Sequence, residues 1–220
     1  MSAGAARTSE NLLIVGRVAA VASLVLCLLI QYLNHDFFPP DVSVSQYGVG
    51  PRGWVFTTWT AVVALAALTL RAGGSMNEHH VGYWLGAGSF GLVLMGIVRT
   101  DAGGLQQSFH AKVHMGASIL ALVALPIGMA LAMDHACAWL RRSAWIFVVL
   151  GAVALVMVLV SAAGVATPGL DAPHSWAMWQ AVAVTLDMLL LAAFAWASLP
   201  GNHDEVRRDA SVARAGQRTD

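Results

Sequence analysis

Charge is what this chain has least of. Only 11% of its 220 residues are Asp, Glu, Lys or Arg, where a soluble domain carries roughly a quarter. With 58% hydrophobic residues and a mean hydropathy of +0.68, it cannot cover itself with a water-compatible surface. The formal net charge is zero, which excludes the electrostatic footprint of a nucleic-acid binder. Two cysteines, Cys27 and Cys137, cannot build a disulfide framework. No Ser or Cys stands in a recognised nucleophile setting, and Ser108, two residues before His110, is the nearest candidate. The length suits one bundle and leaves no room for a second domain.

What the chain does have is apolar runs. A bilayer core takes about 20 helical residues, and six segments approach or exceed that: Leu12–Leu33, Trp54–Leu70, Val81–Val98, Ala111–Met133, Ala144–Gly164 and Ser175–Leu199. The first ends in Q-Y-L-N-H without a small-x-small cleavage site, so it reads as a retained helix rather than a signal peptide. Residues 1–11 read as a disordered lead-in, 12–199 as one six-helix domain, and 200–220 as a disordered polar tail. Pro39 and Pro40 forbid helix in the longest link, and V-S-V-S after them is too short for a strand. Trp54, Phe56 and Trp59 suit a membrane interface. Gly82 and Gly86 form a G-x-x-x-G, with Ala87 and Gly91 repeating the spacing, which predicts close approach of a neighbouring helix. Pro126 and Gly128 are where the fourth helix would kink. The predicted class is all-α, a polytopic membrane bundle of six transmembrane helices.

Six crossings put both termini on one side. Arg7, Arg17, Arg71, Arg141, Arg142, Arg207, Arg208, Arg214 and Arg218 fall on that side, against Arg52, Arg99 and Lys112 on the other. This asymmetry predicts cytoplasmic termini and a multi-pass protein of the plasma membrane. The outward links then carry four His (His35, His110, His114, His174) and four Asp (Asp36, Asp41, Asp101, Asp171). Water-facing links need polar residues, and that explains His35 and Asp36. Asp101, His110 and His114 sit at helix ends, where side chains can turn back into the bundle.

The stretch R-T-D-A-G-G-L-Q-Q-S-F-H-A-K-V-H, Arg99 to His114, concentrates this chemistry. His110 and His114 share one helical face, a turn apart, and Gly103 and Gly104 allow a hairpin that brings Asp101 to them. Asp and His suit acid–base work, the carboxylate orienting the imidazole, so the expected catalytic group is Asp101, His110 and His114. Arg99, Arg52 and Lys112 suit a phosphate, and with His174 they form the expected substrate-binding set. The same donors fit a divalent metal, with Asp101 or His174 as third ligand, so a metal stays open. Haem is not expected, because no His lies deep in a helix. Asp187, in mid-helix, must face the bundle, and Arg17 is the predicted partner, with a proton or ion path as the alternative.

The motif D-V-S-V-S-Q-Y-G-V-G-P-R-G-W-V-F after the first helix, and Asp101 followed by His110 and His114, resemble the bacterial six-helix membrane family known as domain of unknown function 998. The resemblance covers about residues 12–199. In that family an aromatic-Pro-hydroxyl-Asp sequence ends the third helix; here Val98-Arg99-Thr100-Asp101 keeps the hydroxyl and the Asp. The resemblance extends remotely to eukaryotic six-helix proteins of GPI-lipid remodelling and autophagy, which implies a lipid-related role by analogy. Three functions follow: an outward polar site that binds or modifies a lipid head group, a non-enzymatic scaffold or accessory subunit, and a proton- or ion-coupled transporter using Asp187. Whether the protein is an enzyme stays open. Membrane lipids are the expected partners, nucleic acid is not, and protein partners stay open.

Overall fold

Runs of Ala, Leu and Val with few side chains able to compete for backbone hydrogen bonds fold as helices, and in lipid each helix satisfies its own peptide groups. In a computed structural model that describes residues 3–38, 40–74, 78–104, 107–134 and 136–199, the chain forms six of them. They are α1 (Ala3–Asn34), α2 (Gly53–Gly73), α3 (His79–Ile97), α4 (Phe109–Ala132), α5 (Ala138–Ala162) and α6 (Ala172–Ala197). All six are long and apolar enough to cross a membrane. The protein is a multi-pass helical bundle, with no strand among the described residues. V-S-V-S runs into a 3₁₀ turn, Val44–Gly48, and a second one, Ala102–Gly104, follows α3.

Two expectations about boundaries are corrected. Residues 3–11 are not a separate lead-in but the first turns of α1; the Ala-rich A-G-A-A-R favours helix, and the Ser9 hydroxyl donates to the Gly73 carbonyl where α2 ends. Helix α5 begins at Ala138 rather than Ala144 and takes in Trp139–Arg142. Pro126 and Gly128 are accommodated within one unbroken α4. The tail, residues 200–220, lies outside the described residues.

The helices pack as neighbouring antiparallel pairs, α1 on α2, α2 on α3, α3 on α4 and α5 on α6; α4 also meets α5 and α6, and α1 meets α6. The outer surface is apolar, as a lipid solvent permits: Val18, Val21, Val25 and Leu28 on α1 and Val149, Val153 and Val156 on α5 are all exposed. The core is filled by Phe194, Leu85, Leu125, Met129, Leu190 and Leu191, each almost fully buried.

At the end of the bundle opposite the termini, here called distal, three links are stitched together. The Asp36 carboxylate accepts from the Asp41 amide (2.7 Å), the Val42 amide (3.3 Å) and the Tyr47 hydroxyl (2.8 Å). Asp36, expected to be an ordinary solvated residue, is 6% exposed and holds the 3₁₀ turn. The Gln46 amide donates to the Asp101 carbonyl while its oxygen accepts from the Gly103 amide, both at 3.0 Å. Gly103 takes φ +73°, which a side chain would strain. Val44, Ser45, Tyr47 and Gly48 are consequently buried over the helix ends.

The basic asymmetry sets a labelling outcome. In a Cys27→Ala, Cys137→Ala background, Asp41→Cys at an exposed distal position should react with an impermeant maleimide added outside cells. Arg141→Cys, exposed at the other end, should react only after permeabilisation. The opposite pattern reverses the orientation.

Candidate functional site

The link between α3 and α4 folds on its own carboxylate. Asp101 accepts from the Gln107 amide (2.9 Å), the Ser108 amide (2.8 Å) and the Ser108 hydroxyl (2.6 Å). The same Ser108 oxygen accepts from the Ala111 amide at 3.0 Å and so caps α4. The Ser108 hydroxyl, the two amides and the nearby His110 hold the Asp101 carboxyl below its usual range. The expected bond from Asp101 to an imidazole is therefore absent, because the carboxylate is already taken up by the helix start. His110 is exposed in the first turn, edge-on to Phe109 with ring centres 6.3 Å apart. His114, one turn deeper, is 2% exposed.

The expected substrate-binding set is dispersed. Arg99 is exposed beyond the end of α3, and Arg52 donates to the Leu33 carbonyl at the end of α1. Lys112 is exposed and, two residues before His114, lies on roughly the opposite side of α4. His174 is bonded to Asp171 at 2.6 Å, with Asp41 at 3.9 Å. Asp171 also caps α6 by accepting from the His174 amide, and the amide and ring of His174 hold its carboxyl down. Among the described residues no three His, Cys, Asp or Glu side chains converge as a metal site.

What the structure builds instead is a cleft around His114. The ring packs near Phe56, centre to centre 6.4 Å, and Nδ1 lies 2.6 Å from the Val98 carbonyl, the residue that follows α3. Nε2 is buried and has no hydrogen-bond partner among the described residues. His114 lines a narrow cleft, ≈ 410 Å³ when the open solvent at its mouth is counted in, with Met115, Ser118, Ile119 and Leu122 of α4, Leu155, Val158, Leu159 and Ala162 of α5, Trp176 and Gln180 of α6, and Ser45. An adjoining space of ≈ 270 Å³ shares Ser45, Ser118, Leu122 and Gln180 and reaches Phe56, Trp59 and Met95. Trp59 Nε1, a donor, is also buried without a partner among the described residues. The Ser45 amide donates to Gln180 Oε1 at 3.3 Å, tying the 3₁₀ turn to α6.

The family described as "Protein of unknown function (DUF998)" matches residues 18–197. The chain belongs to that family. No curated protein and no solved structure matches it. For this DUF998 member the site therefore has to be argued from geometry. Ser45, Trp59 and Gln180 are the residues that sequence reasoning passed over. Gln180 carried a usable signal, a polar side chain inside an apolar span. Trp59 is 2% exposed and belongs to the interior, whereas Trp54, 65% exposed, fits the interface.

The predicted Arg17–Asp187 pair is not formed. Arg17 donates to the Ser198 hydroxyl (3.2 Å) and to the Ser198 carbonyl, capping α6. Asp187 lies 11 residues earlier in the chain, about 16 Å deeper along the helix. Bonded to Ser198, the C-cap of α6, Arg17 lies near the bundle end rather than at mid-depth. Asp187 is 7% exposed.

Three outcomes follow. Arg17→Gln and Asp187→Asn should add in stability to within about 0.5 kcal/mol in a double-mutant cycle, as separated sites do; a larger coupling would restore the pair. Ser108→Ala should cost about 1 kcal/mol through the lost cap. Asp101 and Asp171 titrate lower folded than unfolded, so their contribution is complete above about pH 4 and is lost as pH falls through the depressed values. Melting of the detergent-solubilised protein between pH 7 and pH 3 should show this loss, reduced in Asp101→Asn.

Proposed function

We propose that this DUF998 member binds a membrane lipid at the distal end of the bundle, in the leaflet that the basic asymmetry assigns to the outside of the plasma membrane. The observation that carries the reading is His114, a 2% exposed side chain with an unpartnered Nε2, lining a cleft between α4, α5 and α6. An orphaned polar atom in a buried setting costs about 1–3 kcal/mol, which a ligand can return. The cleft begins about 8 Å below the start of α4 at His114 and extends to Leu122, about 20 Å down, close to the depth of one leaflet. At the mouth, Leu159 and Ala162 are exposed and Met115, Ile119 and Trp176 are half-buried, so an acyl chain has an apolar path from the bilayer.

In this reading His114 meets the polar end of the lipid, with Ser45 and Gln180 beside it. Asp101 positions α4 and His110 stands at the rim. Arg99, Arg52, Lys112 and His174 remain on the distal surface, where they can meet head groups of surrounding lipids. A scaffold reading has its own support, since Asp36, Asp101, Asp171, Arg17 and Arg52 all hold backbone groups.

One substitution separates the two. Ala162→Trp, at an exposed position on the mouth, should leave folding intact and fill the cleft. Lipid extracted from the purified wild type should include one tightly held molecule per chain, and the variant should lose it with an unchanged Tm. Equal retention by both proteins would remove the cleft as the site.

A further inference from the structure

The reading above leaves the ligand's polar group open, and the hydrogen-bonding state of the cleft narrows it; this step rests on that reading. A carbonyl oxygen can only accept, so the 2.6 Å contact with Val98 makes His114 Nδ1 the nitrogen that carries the hydrogen. In the neutral ring, Nε2 is then the lone-pair nitrogen, an acceptor without a donor. Gln180 is fixed by the same logic. Its Oε1 faces the Ser45 amide at 3.3 Å, which turns its NH₂ the other way as a donor. The Ser118 hydroxyl gives its hydrogen to the His114 carbonyl at 2.9 Å and is left with lone pairs.

The charges point the same way by where they are not. Among the described residues neither space has a charged one in its lining. Arg99 and Lys112 are exposed elsewhere, and Arg52 is bonded to the Leu33 carbonyl. A phosphodiester brings anionic oxygens and no donor. In this cleft it would set negative charge against the Nε2 lone pair with no cation to offset its dehydration. A hydroxyl both donates and accepts, and the cleft offers an acceptor at His114 and a donor at Gln180.

We infer that the cleft takes an uncharged lipid ending in a free hydroxyl, of the diacylglycerol or long-chain-alcohol type, whose O–H donates to His114 Nε2 while its chain lies along α4 and α5 toward the bilayer. Phospholipids then surround the protein as solvent and do not fill the cleft.

The test compares an alcohol with probes in which that hydroxyl is capped or phosphorylated. Wild-type protein in nanodiscs of dimyristoylphosphatidylcholine is loaded with dioleoylglycerol, with its 3-O-methyl ether, or with dioleoylphosphatidic acid, and the bound lipid is counted by native mass spectrometry. The alcohol should be retained about tenfold better than the ether, the factor expected for one unmade buried hydrogen bond, and better than the phosphatidic acid. His114→Phe, of similar shape but without the acceptor, should abolish the preference for alcohol over ether. Equal retention of alcohol and ether, or a preference for phosphatidic acid, overturns the hydroxyl assignment and leaves lipid binding standing. Failure of all three lipids to bind overturns both. The alcohol–ether comparison uses the wild type alone, so it holds even where His114→Phe does not fold.

Discussion

The bond from His114 to the Val98 carbonyl closes the end of α3 against the second turn of α4, and the distal half of the bundle depends on it. A helix in lipid leaves its last carbonyls without water, so each end needs a partner from the protein. The chain meets that need repeatedly with its few polar side chains. Ser9 serves the Gly73 carbonyl, Arg17 that of Ser198, Arg52 that of Leu33 and Asn34 that of Ile30. Most of these use their polar atoms on the backbone and have little left for chemistry. His114 differs because an imidazole has two nitrogens: one closes α3, and the other remains.

That bond requires α3 and α4 to lie close, and glycines make this so. A Cβ on Gly88 would stand 2.5 Å from the Leu125 amide nitrogen, and one on Gly91 would stand 2.7 Å from the Ala117 carbonyl oxygen. Neither distance is tolerable, so the two backbones touch where a side chain would have separated them. Gly88 and Gly91 thus hold the end of α3 within reach of an imidazole on α4. A larger residue at either position would part the helices, leaving both the Val98 carbonyl and Nδ1 without a partner.

The six helices were legible because their signal is apolar length, which any bilayer-spanning helix must display. The seam was legible only in part. The G-x-x-x-G at Gly82 and Gly86 is not the contact: a Cβ on Gly86 would meet no other helix within 4 Å among the described residues, and one on Gly82 would meet the Arg71 guanidinium. Of the small residues singled out, Gly91 is in the seam, but spacing alone does not say which face of a helix meets a neighbour. The candidate cleft was legible at one of its lining residues. His114 could be named, whereas Asp101 was misjudged because a carboxylate near two His is equally near the amides of a helix start, and these bind it first. Ser45 had no signal, since its place in the cleft depends on a loop held by contacts from residues as distant as Gln180.

That loop determines what kind of site this is. The walls of the cleft are helices, but Ser45 comes from the Val44–Gly48 turn, so the distal boundary is irregular backbone at the edge of the membrane. Such backbone persists only where its peptide groups are satisfied by protein. Asp36 supplies two acceptor oxygens, Gln46 reaches across to the α3–α4 link, and Gln180 accepts from Ser45. Burial, and then the Asp36 carboxylate beside it, push the Tyr47 phenol up, so it remains a donor to Asp36 throughout the physiological range. With this network crossing the distal side, the lining residues exposed at the surface are Leu159 and Ala162 of α5. On the proposed lipid-binding reading, a molecule entering there would come from lipid: it meets apolar surface before it meets His114, which favours an amphiphile whose polar end is small enough to be drawn in behind its chain.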